Sequence, residues 1–291
     1  MATRKIRKTR EDYIIDFIVY AFVLILTISI VLPFMQVITV SMSPARVVNK
    51  NGFHLIPTAF DFSGYQKILG DKDFLRSYWT TIKRAIIGTA SCVLMTVLTA
   101  YPISKRNLPH RKGIMLFIIF TMYFSGGMIP NYLLIKKLGL INRFSVFILP
   151  MLITGYALIV TRNYFMTIPD AIEESAKIDG ANDLVILFKL YLPLATPVIA
   201  TIALWYCVQH WNAWMDCMLY ITKREKYTLQ YLLQTIIASG QTDDVEQVGM
   251  IVHTETMKMA ALVLSLIPIV CSYPFLQRYF IKGMVVGAVK Q

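Results

Sequence analysis

The side chains most able to do chemistry in this chain lie in the stretch 168–197, where acidic residues outnumber basic ones. The stretch contains five carboxylates and two lysines: Asp170, Glu173, Glu174, Asp179, Asp183, Lys177 and Lys189. A catalytic or metal centre needs a nucleophile, a base or a set of ligands that converge on one point. The sequence shows no such cluster, so we predict no catalytic residue and no metal site. Acidic and small residues at helical spacing instead predict a surface on which another protein docks.

The first half of this stretch has the features of a short helix. Asp170, or Thr167 before the proline, can cap its N-terminus. Glu173 and Glu174 then fall in the first turns, where the positive end of the helix dipole favours carboxylates. Ala176 lies four residues before Gly180, so the two share a face that another backbone can approach closely.

The second half predicts a turn followed by an apolar helix. Gly180 permits a sharp turn, and the residues after it rebuild an apolar run that Pro193 and Pro197 interrupt before the next span. The predicted result is a helix–turn–helix that lies across the cytoplasmic face. The alternative is an amphipathic hairpin that anchors to lipid. Such helices carry mainly Lys and Arg on their polar face, so the acidic composition favours docking.

The spacing of this segment closely resembles the Glu-Ala-Ala loop of ABC importer permeases. Glu174-Ser-Ala176 is followed after three residues by Gly180, then by Leu190 and by Leu192-Pro193. Two positions depart from the family pattern. Ser175 replaces the first alanine and is still small, and Leu190 replaces an isoleucine of similar size.

Other stretches resemble particular branches of the same family. Three are similar to the sugar-importer branch, which includes the second permease of maltose-type systems: Trp211-Asn-Ala-Trp-Met-Asp216, Tyr227-Thr-Leu-Gln-Tyr-Leu-Leu233 and 275–290. The run Ser125-Gly-Gly-Met-Ile-Pro-Asn-Tyr132, followed by Leu138-Gly-Leu-Ile-Asn142, resembles a subgroup that handles oligosaccharides or polysaccharides. Gly126-Gly127 lies inside an apolar window, where it predicts a helix break or a close packing site.

The composition independently predicts a membrane protein. Only 16% of the residues are charged, against about 25% in an ordinary soluble domain. A spanning helix needs about 20 apolar residues. Six windows of about that size contain no charged side chain, except for His210 in the fifth. They are 17–40, 85–104, 114–135, 144–161, 190–215 and 259–277. We therefore predict an all-α integral membrane protein with six transmembrane helices, and the resemblance implies the type I ABC importer permease fold.

These windows divide the chain into a short tail and one membrane domain. We predict a cytoplasmic basic tail at 1–12 and a permease domain at 13–291. The spans lie near 14–40, 80–104, 114–135, 144–162, 195–220 and 257–280, with a coupling loop at 163–193 and an outer loop at 222–256. Dense Lys and Arg in the tail and in 105–113 favour cytoplasmic N- and C-termini, although total counts on the two sides are nearly equal. The chain is predicted to be multi-pass in the cell membrane.

The resemblance implies an assembly of several chains. This chain would pair with a second, related permease above two ATPase subunits, and an extracytoplasmic solute-binding protein would deliver a sugar, which we expect to be an oligosaccharide. The coupling helix in a cleft of the ATPase would use Glu173, Glu174, Ser175, Ala176, Asp179, Gly180 and Ala181. The chain has no G-x-x-x-x-G-K-[S/T] phosphate loop. We therefore predict no cofactor and no enzymatic activity on this chain, with ATP and Mg²⁺ bound by the partner ATPase.

Aromatic and amide side chains in the spans are candidates for the substrate pathway. Trp205, Gln209 and Asn212 follow one another at i, i+4 and i+7 and so share a helix face, on which an indole can stack on a sugar ring while amides bind its hydroxyls. Tyr123 and Asn131 are comparable candidates. The alternatives are an interfacial aromatic belt for Trp211 and Trp214 and ordinary packing for His210.

The outer face contains two further predicted features. The resemblance implies that the outer loop reaches into the binding protein through Gly240, Gln241, Asp243 and Asp244. Basic residues at the outer mouth are compatible with an acidic oligosaccharide as well as with lipid headgroups: Lys83, Arg84, Lys136, Lys137 and Arg143.

Two other classes of protein remain as alternatives. An ion-coupled secondary transporter of a small polar solute usually carries carboxylates inside the membrane, and the charge-free windows contain none. A membrane-embedded enzyme such as a glycosyltransferase would need a convergent reactive cluster. The net charge of +12 does not indicate nucleic-acid binding, because the charges flank the spans as membrane-interface charges do.

Overall fold

The computed structural model of this chain describes residues 9–48, 55–57, 59–238 and 255–288, with no account of the side chains at 45, 46 and 272–288. Within these ranges the regular elements are all helical, which confirms the predicted all-α class. The chain forms two compact units, one of residues 1–70 and 239–264 and the other of residues 71–238 and 265–291.

The first unit begins with a long apolar helix. Helix α1 (Arg10–Ser41) starts at a capping box, in which Asp12 N–H donates to Thr9 Oγ1 at 3.4 Å and Thr9 N–H donates to Asp12 Oδ2 at 2.7 Å. The most apolar part of α1 has no buried side chain. The helix is therefore suited by composition and exposure to lie in lipid.

Short elements cover one end of α1 in the same unit. These are α2 (Ala45–Val48) and α3 (Ser63–Gly70). The hydroxyls of Ser41 and Tyr65 lie 2.7 Å apart. Thr256, at the start of the last helix, donates to the carbonyl of Ser43 at 3.2 Å. A Cβ on Gly64 would lie 3.1 Å from Thr256 Cγ2, so a small residue at 64 allows this approach.

The second unit contains the other helices. They are α4 (Lys72–Ser104), α5 (Arg111–Tyr123), α6 (Met128–Lys137), α7 (Gly155–Phe165), α8 (Asp170–Ile178), α9 (Asp183–Ile186), α10 (Leu192–Leu194), α11 (Thr196–Asn212), α12 (Met215–Tyr220), α13 (Leu229–Ala238) and most of α14 (Glu255–Ala288). A π-helix (Leu187–Tyr191) joins α9 to α10, and 3-10 turns occupy Phe144–Phe147, Leu149–Met151 and Arg224–Lys226.

The core of the second unit lies between α4, α7 and α11. The hydroxyl of Tyr206 on α11 lies 2.9 Å from Thr96 Oγ1 on α4 and 3.0 Å from Thr154 Oγ1 before α7. A Cβ on Gly88 of α4 would lie only 2.6 Å from Nε2 of buried His210 on α11. Glycine at 88 therefore sets how closely α4 and α11 pack, and His210 is a packing residue of this interface.

Several predicted spans are bent in the structure. Helices α1 and α4 are each long and apolar enough to cross a membrane, and three further pairs of helices qualify only if each bent pair counts as one span. The described residues thus provide two to five spans, and the predicted number of six stays a prediction. The described part of α14 covers the predicted span 257–280.

The predicted span 114–135 is the clearest case of a broken helix. Helix α5 ends at Tyr123, and α6 begins at Met128 with its axis turned by 111°. Gly127 between them has a φ of +88°, which is accessible mainly to glycine. The helix break predicted at Gly126-Gly127 is therefore confirmed.

Candidate functional site

The acidic segment forms the predicted helix–turn–helix, but its N-terminus is not capped as predicted. Pro169 precedes α8 in an extended conformation, and no side chain caps the helix. The hydroxyl of Thr167 donates to the carbonyl of Tyr164 at 2.8 Å, and Asp170 is the first residue of α8. The predicted cap by Thr167 or Asp170 is therefore wrong. The hydroxyl of Thr167 bonds to the preceding turn instead, and Asp170 is already inside the helix.

Gly180 makes the turn after α8. Its φ is +80°, and its N–H donates to the carbonyl of Lys177 at 3.0 Å while Ala181 N–H donates to Ala176 at 2.9 Å. This pair of bonds is the Schellman ending of a helix, which places glycine at this left-handed position. A Cβ at Gly180 would meet no atom within 4 Å, so the turn is open to an approaching partner.

The chain then returns to the core of the second unit through three short elements. The side chain of Asn182 caps α9 by accepting from Val185 N–H at 2.9 Å. The π-helix and α10 follow, and this composite helix meets α11 at an angle of 86°. Buried Ile186, Leu187 and Tyr191 pack it into a core cluster shared with α4 and α7.

Helix α8 has two faces of different character. Of the seven predicted coupling residues, four are exposed: Glu174, Ser175, Asp179 and Gly180. Ala176 and Ala181 are half-buried against the core cluster, and Glu173 is buried with 8% exposure. Sequence reasoning did not single out Ile178, which ends α8 and is 86% exposed. It assigned Leu184 to the apolar helix after the turn, and the structure leaves this side chain exposed.

The buried face of α8 is centred on the carboxylate of Glu173. Tyr191 O–H donates to Oε2 at 2.8 Å and Lys177 Nζ donates to Oε1 at 2.8 Å. Lys105 forms an ion pair with Oε2 and also donates to Tyr191 Oη at 3.0 Å. The Lys105 ammonium lies 3.8 Å from the ring centre of Tyr101 and 4.2 Å from that of Tyr191. We call these five residues the Glu173 cluster.

Charge pairing within the Glu173 cluster shifts several pKa values. Burial alone would raise the pKa of Glu173, but hydrogen bonds from Lys105, Lys177 and Tyr191 hold it at about 2. Burial lowers the pKa of Lys105, and its bond to Glu173 opposes that shift. Burial and the neighbouring Glu173 raise the pKa of Tyr191. Three donors surround the carboxylate of Glu173. Near neutral pH this carboxylate and the ammonium of Lys105 are therefore both charged, and Tyr191 is a neutral donor.

The predicted pathway residues fall into two groups. Trp205 on α11 is half-buried, and Gln209 and Asn212 on the same helix are exposed. Trp205 packs against Tyr156 of α7, with ring centres 5.0 Å apart. Tyr156 was not singled out in the sequence, and only the fold reveals it as part of this face. The sequence offered no signal for it beyond an aromatic in an apolar run.

The second group lies on the broken helix. Tyr123 is the last residue of α5 and is 86% exposed, and Asn131 lies exposed on α6 after the bend. No hydrogen bond joins either side chain to the α11 group within the described residues. The residues predicted to contact the solute-binding protein lie outside the described residues: Gly240, Gln241, Asp243 and Asp244.

Comparison with known proteins gives a consistent result over nearly the whole chain. The sequence profile of the family described as "Binding-protein-dependent transport system inner membrane component" matches residues 7–286. The polygalacturonan/rhamnogalacturonan transport system permease protein YtcP of Bacillus subtilis (strain 168) is 41% identical over 284 residues, which cover 96% of this chain and 99% of that protein.

Solved structures show the same likeness. A chain of a bacterial ABC transporter involved in the import of the acidic polysaccharide alginate superposes with a TM-score of 0.87 at 32% identity, covering 95% of this chain and 100% of that chain. A chain of a bacterial alginate ABC transporter in complex with an alginate pentasaccharide-bound periplasmic protein gives a TM-score of 0.60 at 15% identity, over 93% of this chain and 96% of that chain. This second likeness concerns the fold alone.

Proposed function

This chain belongs to the binding-protein-dependent transport system inner membrane component family, whose members are ABC importer permeases, and we propose that its cargo is a carboxylated oligosaccharide. The names of its relatives support this proposal. YtcP is a permease for polygalacturonan or rhamnogalacturonan, and the 32% identical structure belongs to an importer of an acidic polysaccharide. The observation on this chain that carries the proposal is a basic surface made by the end of α6 and two loops of the second unit.

The two loops are held together by Asn142. Its side-chain carbonyl accepts hydrogen bonds from Thr222 N–H at 2.8 Å and Lys223 N–H at 3.3 Å, and its backbone N–H donates to Tyr220 at 3.0 Å. Lys226 Nζ also donates to the backbone carbonyl of Asn142 at 2.8 Å. Asn142 has a φ of +60°, a conformation that asparagine tolerates better than most residues. Segments 80 residues apart in sequence thus form one fixed surface.

This surface has an excess of positive charge. Four exposed cations make no ion pair with another described residue, two of them in the last turn of α6 and one on each of the two loops. We call them the basic platform: Lys136, Lys137, Arg143 and Lys223. Arg224 beside them is paired with Asp73 at 2.8 Å, and Glu225 is the acidic residue of the same loops. Clustered charge of one sign raises the local concentration of oppositely charged ligands. A carboxylated sugar chain fits such a surface better than a neutral one.

The α11 face provides the features that a sugar ring requires. Trp205 and Tyr156 offer aromatic faces, and Gln209 and Asn212 offer exposed amides on the same side of α11. Sugar rings stack on aromatic side chains through their C–H faces while amides bind the hydroxyls. We place the pathway along Tyr156, Trp205, Gln209 and Asn212, with Tyr123 and Asn131 as further pathway candidates.

The remaining partners follow from the family. A second permease completes the pathway, a solute-binding protein delivers the cargo through the loop 222–256, and two ATPase subunits receive the exposed face of α8. ATP and Mg²⁺ are bound on those subunits, and this chain catalyses no covalent step. In this arrangement the N- and C-termini lie on the cytoplasmic side, lipid surrounds α1, and no nucleic acid takes part.

Uptake by the full transporter in proteoliposomes tests the cargo. We expect ATP-dependent import of an oligogalacturonate that ionophores do not abolish. Changing Lys136, Lys137 and Arg143 together to Gln should raise KM for that cargo about tenfold at low salt, with little effect on a neutral oligosaccharide of equal length. The matched control is Lys83→Gln, a cation outside the basic platform. Equal import of neutral and carboxylated chains by the wild type would contradict the proposed cargo.

One structural finding bears on the secondary-transporter alternative. Asp216 is a carboxylate inside the predicted span 195–220, where a coupling ion could in principle bind. Its two oxygens are paired with the guanidinium of buried Arg84, which leaves it bound to a fixed charge. This pairing favours a structural role for Asp216, and abolition of uptake by ionophores would reverse that conclusion.

A further inference from the structure

We infer that Glu173 is a positioning residue that fastens the docking helix α8 to the end of α4, and that Glu174 beside it is left free to meet the ATPase. The inference rests on the proposed function in one respect, since it assumes that an ATPase pushes on α8. Two adjacent residues of the same type thus have different roles: Glu173 holds α8 in place, and Glu174 contacts the ATPase.

The carboxylate of Glu173 is already fully engaged. Its two oxygens accept from Lys105, Lys177 and Tyr191, and its side chain is 11% exposed. An ATPase cation would have to displace one of these donors and reach a buried group. Glu174, one residue later, points from another side of the helix and is exposed, because successive helical residues are turned by about 100°.

The Glu173 cluster joins three elements at one point. Lys105 is the C-cap residue of α4, Glu173 belongs to α8, and Tyr191 ends the π-helix that leads to α11. Edge-to-face contacts between Tyr191 and both Tyr101 and Phe165, with ring centres 5.0 and 5.4 Å apart, surround the cluster with aromatic rings. The cluster is therefore packed as well as hydrogen-bonded.

This position gives the cluster a mechanical consequence. Helix α4 packs along both α7 and α11 in the core of the second unit, so a displacement at Lys105 reaches the helices that carry the pathway residues. Interfaces of this kind move as rigid bodies when their contacts are tight. If the anchor is lost, α8 can shift under load while α4 stays in place. Such a transporter would hydrolyse ATP without moving cargo.

The decisive variant is Glu173→Gln, which keeps size and removes charge. In the complete transporter we expect ATPase subunits to co-purify as in the wild type, while transport per ATP hydrolysed falls about tenfold, within the range typical of a coupling energy between sites. Glu173→Asp, which keeps the charge, should retain more of that coupling than Glu173→Gln. The contrasting variant is Glu174→Arg on the exposed face, for which we expect loss of the ATPase.

A double-variant cycle separates positioning from general stability. Lys105→Met should reproduce the Glu173→Gln defect, and the two together should be no worse than either alone, because both remove the same interaction. The thermal midpoints of the variants, measured on the same preparations, report fold stability separately. Additive loss of transport per ATP would overturn the inference.

The other outcomes are equally decisive. Loss of the ATPase from Glu173→Gln, as from Glu174→Arg, would make Glu173 a contact residue and overturn the inference. Unchanged transport per ATP in Glu173→Gln would also overturn it. If the wild-type complex imported a cargo other than a carboxylated oligosaccharide, only the proposed cargo would fail. Capture of the ATPase and transport of that other cargo would still decide the role of Glu173.

Discussion

The guanidinium of Arg84, which has no exposed surface, forms a two-point ion pair with the carboxylate of Asp216. Arg84 also donates to the carbonyl of Ala213 at 3.1 Å and lies over the ring of Phe147 at 4.7 Å. It therefore fastens the start of α12 to α4. The sequence grouped Arg84 with exposed cations at the outer mouth, and that interpretation is wrong because the fold places a carboxylate 132 positions away against it.

Breaking this pair should destabilise the protein strongly. Arg84→Met leaves Asp216 partly buried without its partner, which typically costs about 3 kcal/mol or more. Arg84→Met combined with Asp216→Leu removes both charges and should recover much of that loss. Thermal unfolding of the purified chain in detergent measures both effects. A double variant less stable than Arg84→Met alone would show that the pair is not what holds α12.

The packing of α4 against α11 makes a separate prediction at Gly88. Gly88→Ala places a Cβ 2.6 Å from His210 Nε2, so the helices must separate or the imidazole must move, at a cost of about 1–3 kcal/mol. His210→Ala in the same chain should relieve part of that cost, and the interaction energy follows from a double-variant cycle. Strictly additive losses would contradict the close approach of these two residues.

The turn at Gly180 predicts a ranking of variants. Its φ of +80° is unfavourable for most residues by about 1–2 kcal/mol, with asparagine less affected. We expect Gly180→Asn to keep more thermal stability than Gly180→Val, since no atom lies within 4 Å of the new Cβ in either case. Unfolding midpoints in detergent test the ranking. Equal midpoints would mean that the turn relaxes freely.

Glu173 gives a prediction for pH. Its pKa of about 2 in the folded chain lies below the usual value of about 4.3 for an unfolded glutamate. Its charge therefore stabilises the fold at pH values above 4.3, and that stabilisation is lost as pH falls toward 2. The difference in unfolding midpoint between wild type and Glu173→Gln should stay constant from pH 5 to 8 and shrink below about pH 4. Glu174→Gln is the control. A difference that changed between pH 6 and 8 would show that another group controls the cluster.

The sequence predicts the helix–turn–helix of segment 168–197 because the information for it is local. The shared face predicted for Ala176 and Gly180 is wrong, because α8 ends at Ile178, Ala176 packs against the core cluster and Gly180 is exposed in the turn. The glycine at 180 and the prolines after it do predict the turn and the next helix. The break at Gly126-Gly127 is predicted for the same reason. These features depend on residues within a few positions of one another.

The sequence does not predict what depends on distant partners. Glu173 and Glu174 are equivalent by type, and their different surroundings depend on Lys105, which lies 68 positions from Glu173 and is hydrogen-bonded to it. The hydrogen bonds of Asn142 to Thr222 and Lys223 and the ion pair of Arg84 with Asp216 likewise join distant segments. The bend of 52° between Phe144–Met151 and Gly155–Phe165, inside the predicted span 144–162, is not predicted, because hydropathy reports composition and not backbone conformation.

Co-purification of the assembled transporter tests the central claim most directly. We expect wild-type chain, solubilised in detergent with its partners, to retain a second permease and an ATPase, and Glu174→Arg combined with Gly180→Trp to lose the ATPase while keeping the permease. If the chain purified alone, or if the double variant kept the ATPase at the wild-type ratio, the exposed face of α8 would not be the coupling surface.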